Sequence, residues 1–221
     1  MIRKKIRVTI ISDFDGVLFD IGRFKRDYAR VFSAAGIPIR DYERTYKKAK
    51  KETRGVYDMA QHAAFLKQKY PAARDLRVRI AEFLARSRQY LHRDAMPFLL
   101  WCASERVPVV IVSAGSSFQR KKINESGIRS RARSLFITRT PSKINALRGI
   151  MRQNPQDVFF YLDDLPAALE EVRKNFPEIK TIRISRNHRE KKNRGMDIVA
   201  SNLSRARSII SSLLYEERKE R

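Results

Sequence analysis

The chain has 221 residues, 43% of them apolar, which suits one domain with a sizeable core or one domain with a small insertion. A single cysteine, Cys102, excludes a disulfide within the chain and fits a reducing compartment. No apolar run approaches the roughly 18 residues of a membrane span, and no signal-peptide-like apolar region follows the basic residues near the start. We therefore expect a cytoplasmic protein in which Cys102 is a small core residue.

The charge is strongly basic, with 48 Lys and Arg against 24 Asp and Glu and a net charge of +24. One interpretation is an anionic partner, such as nucleic acid or a phosphorylated substrate. The alternative is a general solubility bias, because the basic residues are spread along the whole chain. The densest runs lie at residues 47–51, 129–133 and 186–194, and solvated surfaces, with an exposed loop at the last of them, account for most of these.

Apolar runs predict strands that alternate with amphipathic helices over most of the chain. This alternation predicts an α/β fold with a parallel sheet covered on both faces. The predicted strands are residues 6–12, 108–113, 134–138, 158–162, 180–184 and, more weakly, 197–200. The predicted helices between and after them are residues 118–125, 143–152, 167–175 and 203–217.

The alternation breaks between the first and second strands. Residues 21–96 contain helical patterns at 23–35, 41–53, 58–68 and 76–91 and no convincing strand. We interpret residues 21–96 as an all-helical insertion, with residues 1–20 and 97–221 forming the α/β core. Hinges are expected near residues 19–22 and 93–97.

Two aspartates, Asp13 and Asp15, follow the first predicted strand, and Gly16 comes directly after them. Carboxylates at positions i and i+2 of a strand end crowd negative charge into one place. Folded proteins rarely tolerate such crowding without a cation or a chemical task. The pattern predicts a metal-assisted site at the carboxyl end of a central strand, where open α/β sheets bind ligands.

Three further segments carry polar groups where catalytic chemistry is expected. Ser113 ends the second strand just before a helix, which is typical of an N-cap but also of a phosphate cradle. Lys143 stands near a helix N-terminus, where a cation opposes the macrodipole unless it faces an anion; an exposed surface lysine is the alternative. Asp163 and Asp164 end the fourth strand, and helix capping ahead of Pro166 explains one aspartate better than two.

Together, and in this order, the four segments resemble the haloacid dehalogenase superfamily, and specifically its phosphatase branch with a helical cap inserted after the first motif. The match runs from the Asp-x-Asp-Gly-Val-x-x-Asp segment at residues 13–20 through Ser113 and Lys143 to the aspartates at 163 and 164. It covers nearly the whole chain. The resemblance implies a Rossmann-like three-layer core with an inserted all-helical cap.

The resemblance also implies a mechanism. Asp13 would attack phosphorus to form an aspartyl-phosphate, and Asp15 would protonate the leaving oxygen and then activate water. Mg²⁺ would be bound by the Asp13 carboxylate, the Asp15 backbone carbonyl and Asp164. Asp163 would act behind these ligands, orienting water or pairing with Lys143.

The same resemblance implies how the phosphoryl group is bound. The Ser113 hydroxyl, the Lys143 ammonium and the backbone N–H groups of Phe14 and Ala114 would hold its oxygens. The helical insertion would determine which substrate is bound, but the resemblance does not identify any single residue of the insertion for that task.

Three functions remain open. The first is a Mg²⁺-dependent phosphatase acting on a small phosphorylated metabolite, and the presence of Asp15 favours phosphoryl chemistry over dehalogenation. The second is a phosphomutase-like phosphotransferase. The third is a basic nucleic-acid-associated protein, either a polynucleotide-end phosphatase or a non-catalytic binder. The family's further acidic residue is absent, since Ala167 and Ala168 stand there, so the resemblance implies no metal ligand at that position.

Overall fold

The computed structural model describes residues 7–70, 75–186 and 198–219, and in them a six-stranded parallel sheet with the order β3-β2-β1-β4-β5-β6. The strands are β1 (Arg7–Ser12), β2 (Val109–Ala114), β3 (Ser134–Thr138), β4 (Asp157–Asp163), β5 (Lys180–Ile184) and β6 (Ile198–Ala200). The α/β class and all six strands are as predicted, with ends shifted by a residue or so. Residues 6, 197 and 187–194 of the predicted elements lie outside the described residues.

The strand segments are apolar at consecutive positions, as expected of strands that are buried on both faces of the sheet. Successive side chains enter opposite cores: Ile10 and Phe160 pack on one face of the sheet, and Ile11 and Tyr161 pack on the other. All four are fully buried. β1 lies at the centre, paired with both β2 and β4.

Helices cover both faces of this sheet. Their bounds are α5 (Ala95–Ser104), α6 (Ser117–Glu125), α7 (Ile144–Gln153), α8 (Pro166–Asn175) and α9 (Leu203–Lys219). The buried residues of α5, α6 and α9 join the core on one face, and those of α7 and α8 join the core on the other. Cys102 of α5 is buried, as expected. Within the described ranges, no helix combines the length and apolarity needed to cross a bilayer.

In the described residues, four α-helices lie between β1 and α5: α1 (Ile21–Ser33), α2 (Ile39–Glu52), α3 (Met59–Lys69) and α4 (Leu76–Ala85). We refer to residues 21–91 as the helical segment. It is built around aromatic rings that pack edge to face and stacked, among them Phe24, Tyr28 and Phe32 of α1. Such rings bury large apolar areas, and their burial stabilises the segment.

One helix that the sequence predicted in the helical segment ends earlier in the structure than predicted. The pattern predicted a helix over residues 76–91, whereas α4 ends at Ala85 and a 3-10 turn follows at Ser87–Tyr90. This turn places the Tyr90 ring against Phe24 and Phe83, and the Tyr90 hydroxyl donates to Asp27. Tertiary packing of one aromatic side chain therefore overrides the helical pattern here.

Candidate functional site

The sheet topology brings the predicted site residues together. β2, β1 and β4 are neighbours, so Ser113, Asp13 and Asp163 emerge side by side at the carboxyl edge of the sheet. The Asp13 backbone N–H donates to the Leu162 carbonyl at 2.9 Å, which extends the pairing of β1 and β4 to the site itself. This is the edge where open parallel sheets bind ligands.

Lys143 connects the first and the last of the four segments. It occupies the N-cap position of α7, and its ammonium lies 2.8 Å from Asp13 Oδ2 and 2.7 Å from Asp163 Oδ2. All three side chains are buried or nearly so. Burial alone would lower the pKa of Lys143, but Asp13 and Asp163 together raise it above its usual range. The lysine therefore faces carboxylates, not solvent.

Asp13 lies between Lys143 and the backbone of Phe14, and its carboxyl is buried. Burial raises the pKa of its carboxyl to about 6, with Asp163 and Asp15 adding to the rise and Lys143 opposing it. Its Oδ1 accepts a hydrogen bond of 2.6 Å from the backbone N–H of Phe14. The Phe14 N–H therefore lies beside the same carboxylate that Lys143 binds on its other oxygen.

The two adjacent aspartates after β4 have different environments. Asp163 accepts hydrogen bonds from Lys143, from the Tyr161 hydroxyl and from the backbone N–H of Leu165, so both of its oxygens are engaged. Asp164 is also largely enclosed, and burial, followed by the charges of Asp163 and Asp13, raises its pKa to about 7. Burial is thus the main cause of the raised pKa at both Asp13 and Asp164, and the neighbouring carboxylates add to it.

The donor set fits a small hard cation. Oxygens of Asp13, Asp163 and Asp164 lie within 4.8 Å of one another, and carboxylate oxygens are the ligands that Mg²⁺ prefers. Asp163 is fully buried with both oxygens bonded within the protein, whereas Asp13 and Asp164 line the cavity between the sheet edge and the helical segment. Asp13 and Asp164 are therefore the side chains placed to bind a metal.

Ser113 and Asp15 are connected by a residue that the sequence did not single out. The Gln119 side-chain amide, on the first turns of α6, donates to Ser113 Oγ at 2.9 Å and to Asp15 Oδ2 at 3.0 Å. Gly115 makes this approach possible, since a Cβ there would lie 2.2 Å from the Cβ of Gln119. Accepting from Gln119 leaves the Ser113 O–H free to donate to a ligand.

A second unpredicted residue is Lys122, whose ammonium binds both oxygens of Asp15, at 2.7 and 2.9 Å. Its side chain is only 2% exposed. One sequence signal could have found it: Lys122 lies four residues after the apolar Phe118 and next to Ile123, on the buried side of α6. A lysine at such a position is rarely buried without a partner.

A cavity of about 400 Å³ lies between the carboxyl edge of the sheet and the helical segment. From the core it is lined by Asp13, Asp15, Ser113, Ala114, Lys143 and Asp164, and from the helical segment by Phe24, Lys25, Tyr28, Tyr46, Lys50 and Tyr57, among others. Burial, and then the charge of Asp15, raises the pKa of Tyr46. The Ser116 hydroxyl donates to the Tyr57 carbonyl at 3.0 Å, so the helical segment contacts the loop after β2.

Comparison with solved structures agrees with this architecture. A protein from Burkholderia xenovorans LB400 assigned as a haloacid dehalogenase-like hydrolase is 18% identical, with a TM-score of 0.74 over 95% of this chain and 99% of that one. A HAD phosphatase from Thermococcus onnurineus is 18% identical, with a TM-score of 0.59 over 92% and 97%. A protein from Thermotoga maritima assigned as a β-phosphoglucomutase is 12% identical, with a TM-score of 0.63 over 93% and 99%.

No family model matches the sequence, and the search of curated proteins found no match. The similar structures also include dehalogenases, so their reactions differ although their architecture is shared. These structures align with this chain over nearly its whole length, including the parallel sheet. The chain therefore has the fold of the haloacid dehalogenase-like hydrolases.

Proposed function

We propose that this protein is a Mg²⁺-dependent phosphatase that hydrolyses a small phosphorylated metabolite through an aspartyl-phosphate intermediate. The observation that carries the proposal is the buried Asp13 carboxylate, bound by Lys143 and flanked within one cavity by Asp15 and Asp164. A nucleophile, an acid/base group and a free metal ligand are the elements that a metal-assisted phosphoryl transfer through a covalent intermediate uses.

In the first half-reaction, one oxygen of Asp13 attacks phosphorus while the bond between phosphorus and the ester oxygen breaks. Asp15 gives its proton to that departing oxygen, and the alcohol leaves. In the second half-reaction, Asp15 takes a proton from water, the water oxygen attacks the phosphoryl group, and inorganic phosphate leaves Asp13. The enzyme returns with Asp13 as a carboxylate and Asp15 protonated.

The phosphoryl oxygens would be bound by the Ser113 hydroxyl, the Lys143 ammonium and the backbone N–H groups of Phe14 and Ala114. These donors are fixed before substrate arrives, which is how positioned dipoles stabilise the charge of a transferring phosphoryl group. Mg²⁺ bound by Asp13, Asp164 and the Asp15 carbonyl would offset the negative charge of the carboxylates and of the phosphate. Asp163 would keep Lys143 in place.

The helical segment would act as a cap domain, within the proposed boundaries of residues 21–96, over a core of residues 1–20 and 97–221. Its contact with the loop after β2 and its share of the cavity wall support this role. A cap of this kind excludes water from the reacting phosphate and contacts the leaving group.

A phosphotransferase reaction is the second candidate, because one structure of similar architecture is assigned as a β-phosphoglucomutase. The two reactions differ only in what accepts the phosphoryl group from Asp13, water or a second sugar phosphate. Release of inorganic phosphate, measured with and without an added sugar phosphate acceptor, separates them.

The nucleophile is tested by Asp13→Asn, with Asp20→Asn as the matched control. Asp20 belongs to the same acidic segment but caps α1 through the Arg23 N–H, and asparagine caps a helix equally well. We expect Asp13→Asn to lower Mg²⁺-dependent hydrolysis of phenyl phosphate by roughly 10⁴-fold or more, with Asp20→Asn close to wild type. A chelator should abolish the wild-type rate. Wild-type turnover by Asp13→Asn would exclude Asp13 as the nucleophile.

Gly16 provides a test of the metal site. It has a φ of +79°, and a Cβ there would lie 2.2 Å from Asp164 Oδ2. Gly36 is a matched control, since its φ is +77° and a Cβ there would meet nothing within 4 Å. Both alanine substitutions should cost about 1 kcal/mol of stability through backbone strain. Only Gly16→Ala displaces the Asp164 carboxylate.

We therefore expect similar melting temperatures for Gly16→Ala and Gly36→Ala, but a raised Mg²⁺ requirement and at least a tenfold loss of turnover for Gly16→Ala alone. Magnesium titrations of the phosphatase rate measure both effects. Equal activity in the two variants would argue against Asp164 as a metal ligand.

Two lysines of the helical segment support a more specific substrate. Lys25 and Lys50 both line the cavity, and neither forms an ion pair with any residue in the described ranges. Half-burial and then the charge of Lys25 lower the pKa of Lys50. Two neighbouring ammonium groups without an acidic partner would favour a leaving group that carries its own negative charge.

We expect Lys50→Met to raise the KM for 4-carboxyphenyl phosphate by roughly fivefold, the loss of about 1 kcal/mol of ion pairing. The KM for phenyl phosphate should stay within about twofold of wild type. Lys51→Met, which removes an exposed lysine one residue later on α2, is the control and should change neither value. If Lys50→Met and Lys51→Met behave alike on both esters, Lys50 does not bind the leaving group.

A further inference from the structure

We propose that Lys122 is a positioning residue for acid/base catalysis, which fixes the Asp15 carboxylate at the floor of the cavity. The inference rests on the proposed function, because it assigns Lys122 a task within that reaction. Lys122 belongs to none of the four motif segments. It comes from the second turn of α6, and its ammonium is bonded to Asp15.

The contact between Lys122 and Asp15 restrains the orientation of the carboxylate. The Lys122 ammonium binds Asp15 Oδ1 at 2.7 Å and Oδ2 at 2.9 Å, so one group restrains both oxygens. Gln119, one turn earlier on the same helix, donates to Oδ2 at 3.0 Å. Three hydrogen bonds from one rigid helix leave the Asp15 side chain little rotational freedom, although it is 28% exposed to the cavity.

The surroundings of Lys122 exclude a simple surface ion pair. Its ammonium lies 5.1 to 5.4 Å from the ring centres of Phe14, Phe19 and Phe24. Ring faces attract a cation, but they do not replace the water that burial removes. Asp15 is the only carboxylate that Lys122 contacts within the described residues. The ammonium is therefore committed to that one partner.

The rings also connect the acid/base group to the helical segment. Phe14 follows β1, Phe19 lies where the chain leaves the core, and Phe24 belongs to α1. The environment of Lys122 is thus complete only when α1 is docked on the core. Lys122 thereby makes the placement of Asp15 depend on the helical segment that covers the substrate.

A double-mutant cycle tests the proposal with phenyl phosphate at saturating Mg²⁺. We expect Lys122→Met to lower kcat about tenfold or more, since misplacing an acid/base group removes part of its roughly 10²- to 10⁴-fold contribution, with KM within about threefold. In an Asp15→Asn background the same substitution should change kcat less than about twofold. Lys121→Met, an exposed neighbour on α6, should match wild type.

A merely structural lysine gives a different result. It would lower kcat by the same factor with or without the Asp15 carboxylate, or it would raise KM instead, and either outcome overturns the proposal. Should Lys122→Met not fold at the assay temperature, Lys122→Gln, which is one bond shorter and uncharged but keeps a polar N–H group, takes its place in the cycle. A wild-type protein with no phosphatase activity overturns the proposed function, whereas additive effects in an active enzyme overturn only the role of Lys122.

Discussion

A buried ammonium between two carboxylates is the interaction on which the site depends. Lys143 lies within 2.8 Å of both Asp13 and Asp163, and all three groups are removed from water. Removing one member of such a buried set leaves an uncompensated charge, which is far more costly than never burying the charges. The lysine fixes where the Asp13 carboxylate lies, and Asp163 fixes where the lysine lies.

The parallel sheet makes this arrangement possible. Since β1 pairs with β2 on one side and β4 on the other, three strands that are distant in sequence end at one edge. The side chains just after them meet without any long loop having to fold over the sheet. Lys143 reaches the same edge from the N-cap position of α7, and Gln119 and Lys122 reach it from α6. Rigid elements thus position each polar group, which is what precise chemistry requires.

Much of this was predictable because the signals are local. Apolar runs with a polar residue directly after them placed Asp13, Ser113 and Asp163 at strand ends, and the parallel topology required those ends to converge. The interactions of Gln119 and Lys122 with Asp15 could not be predicted in the same way. They depend on how α6 docks against the turn after β1, and no spacing within one segment encodes that distance.

The end of α4 also could not be predicted from local sequence patterns. Residues 76–91 carry a helical pattern, yet the chain changes to a 3-10 turn because the Tyr90 ring packs against α1. Local propensity is weak compared with the burial of an aromatic ring.

The fold alone does not determine the reaction, since similar structures include both a phosphatase and dehalogenases. A halide leaves without a proton, whereas an alkoxide departing from phosphorus needs one. In the proposed mechanism, Asp15 is therefore the residue at which the two chemistries diverge, provided that its carboxylate stays within reach of the leaving group. In this chain two side chains of α6 hold it at the cavity floor, beneath a wall formed by the helical segment. The direction of that carboxylate, more than the arrangement of the strands, is what makes phosphoryl transfer the reaction this site supports best.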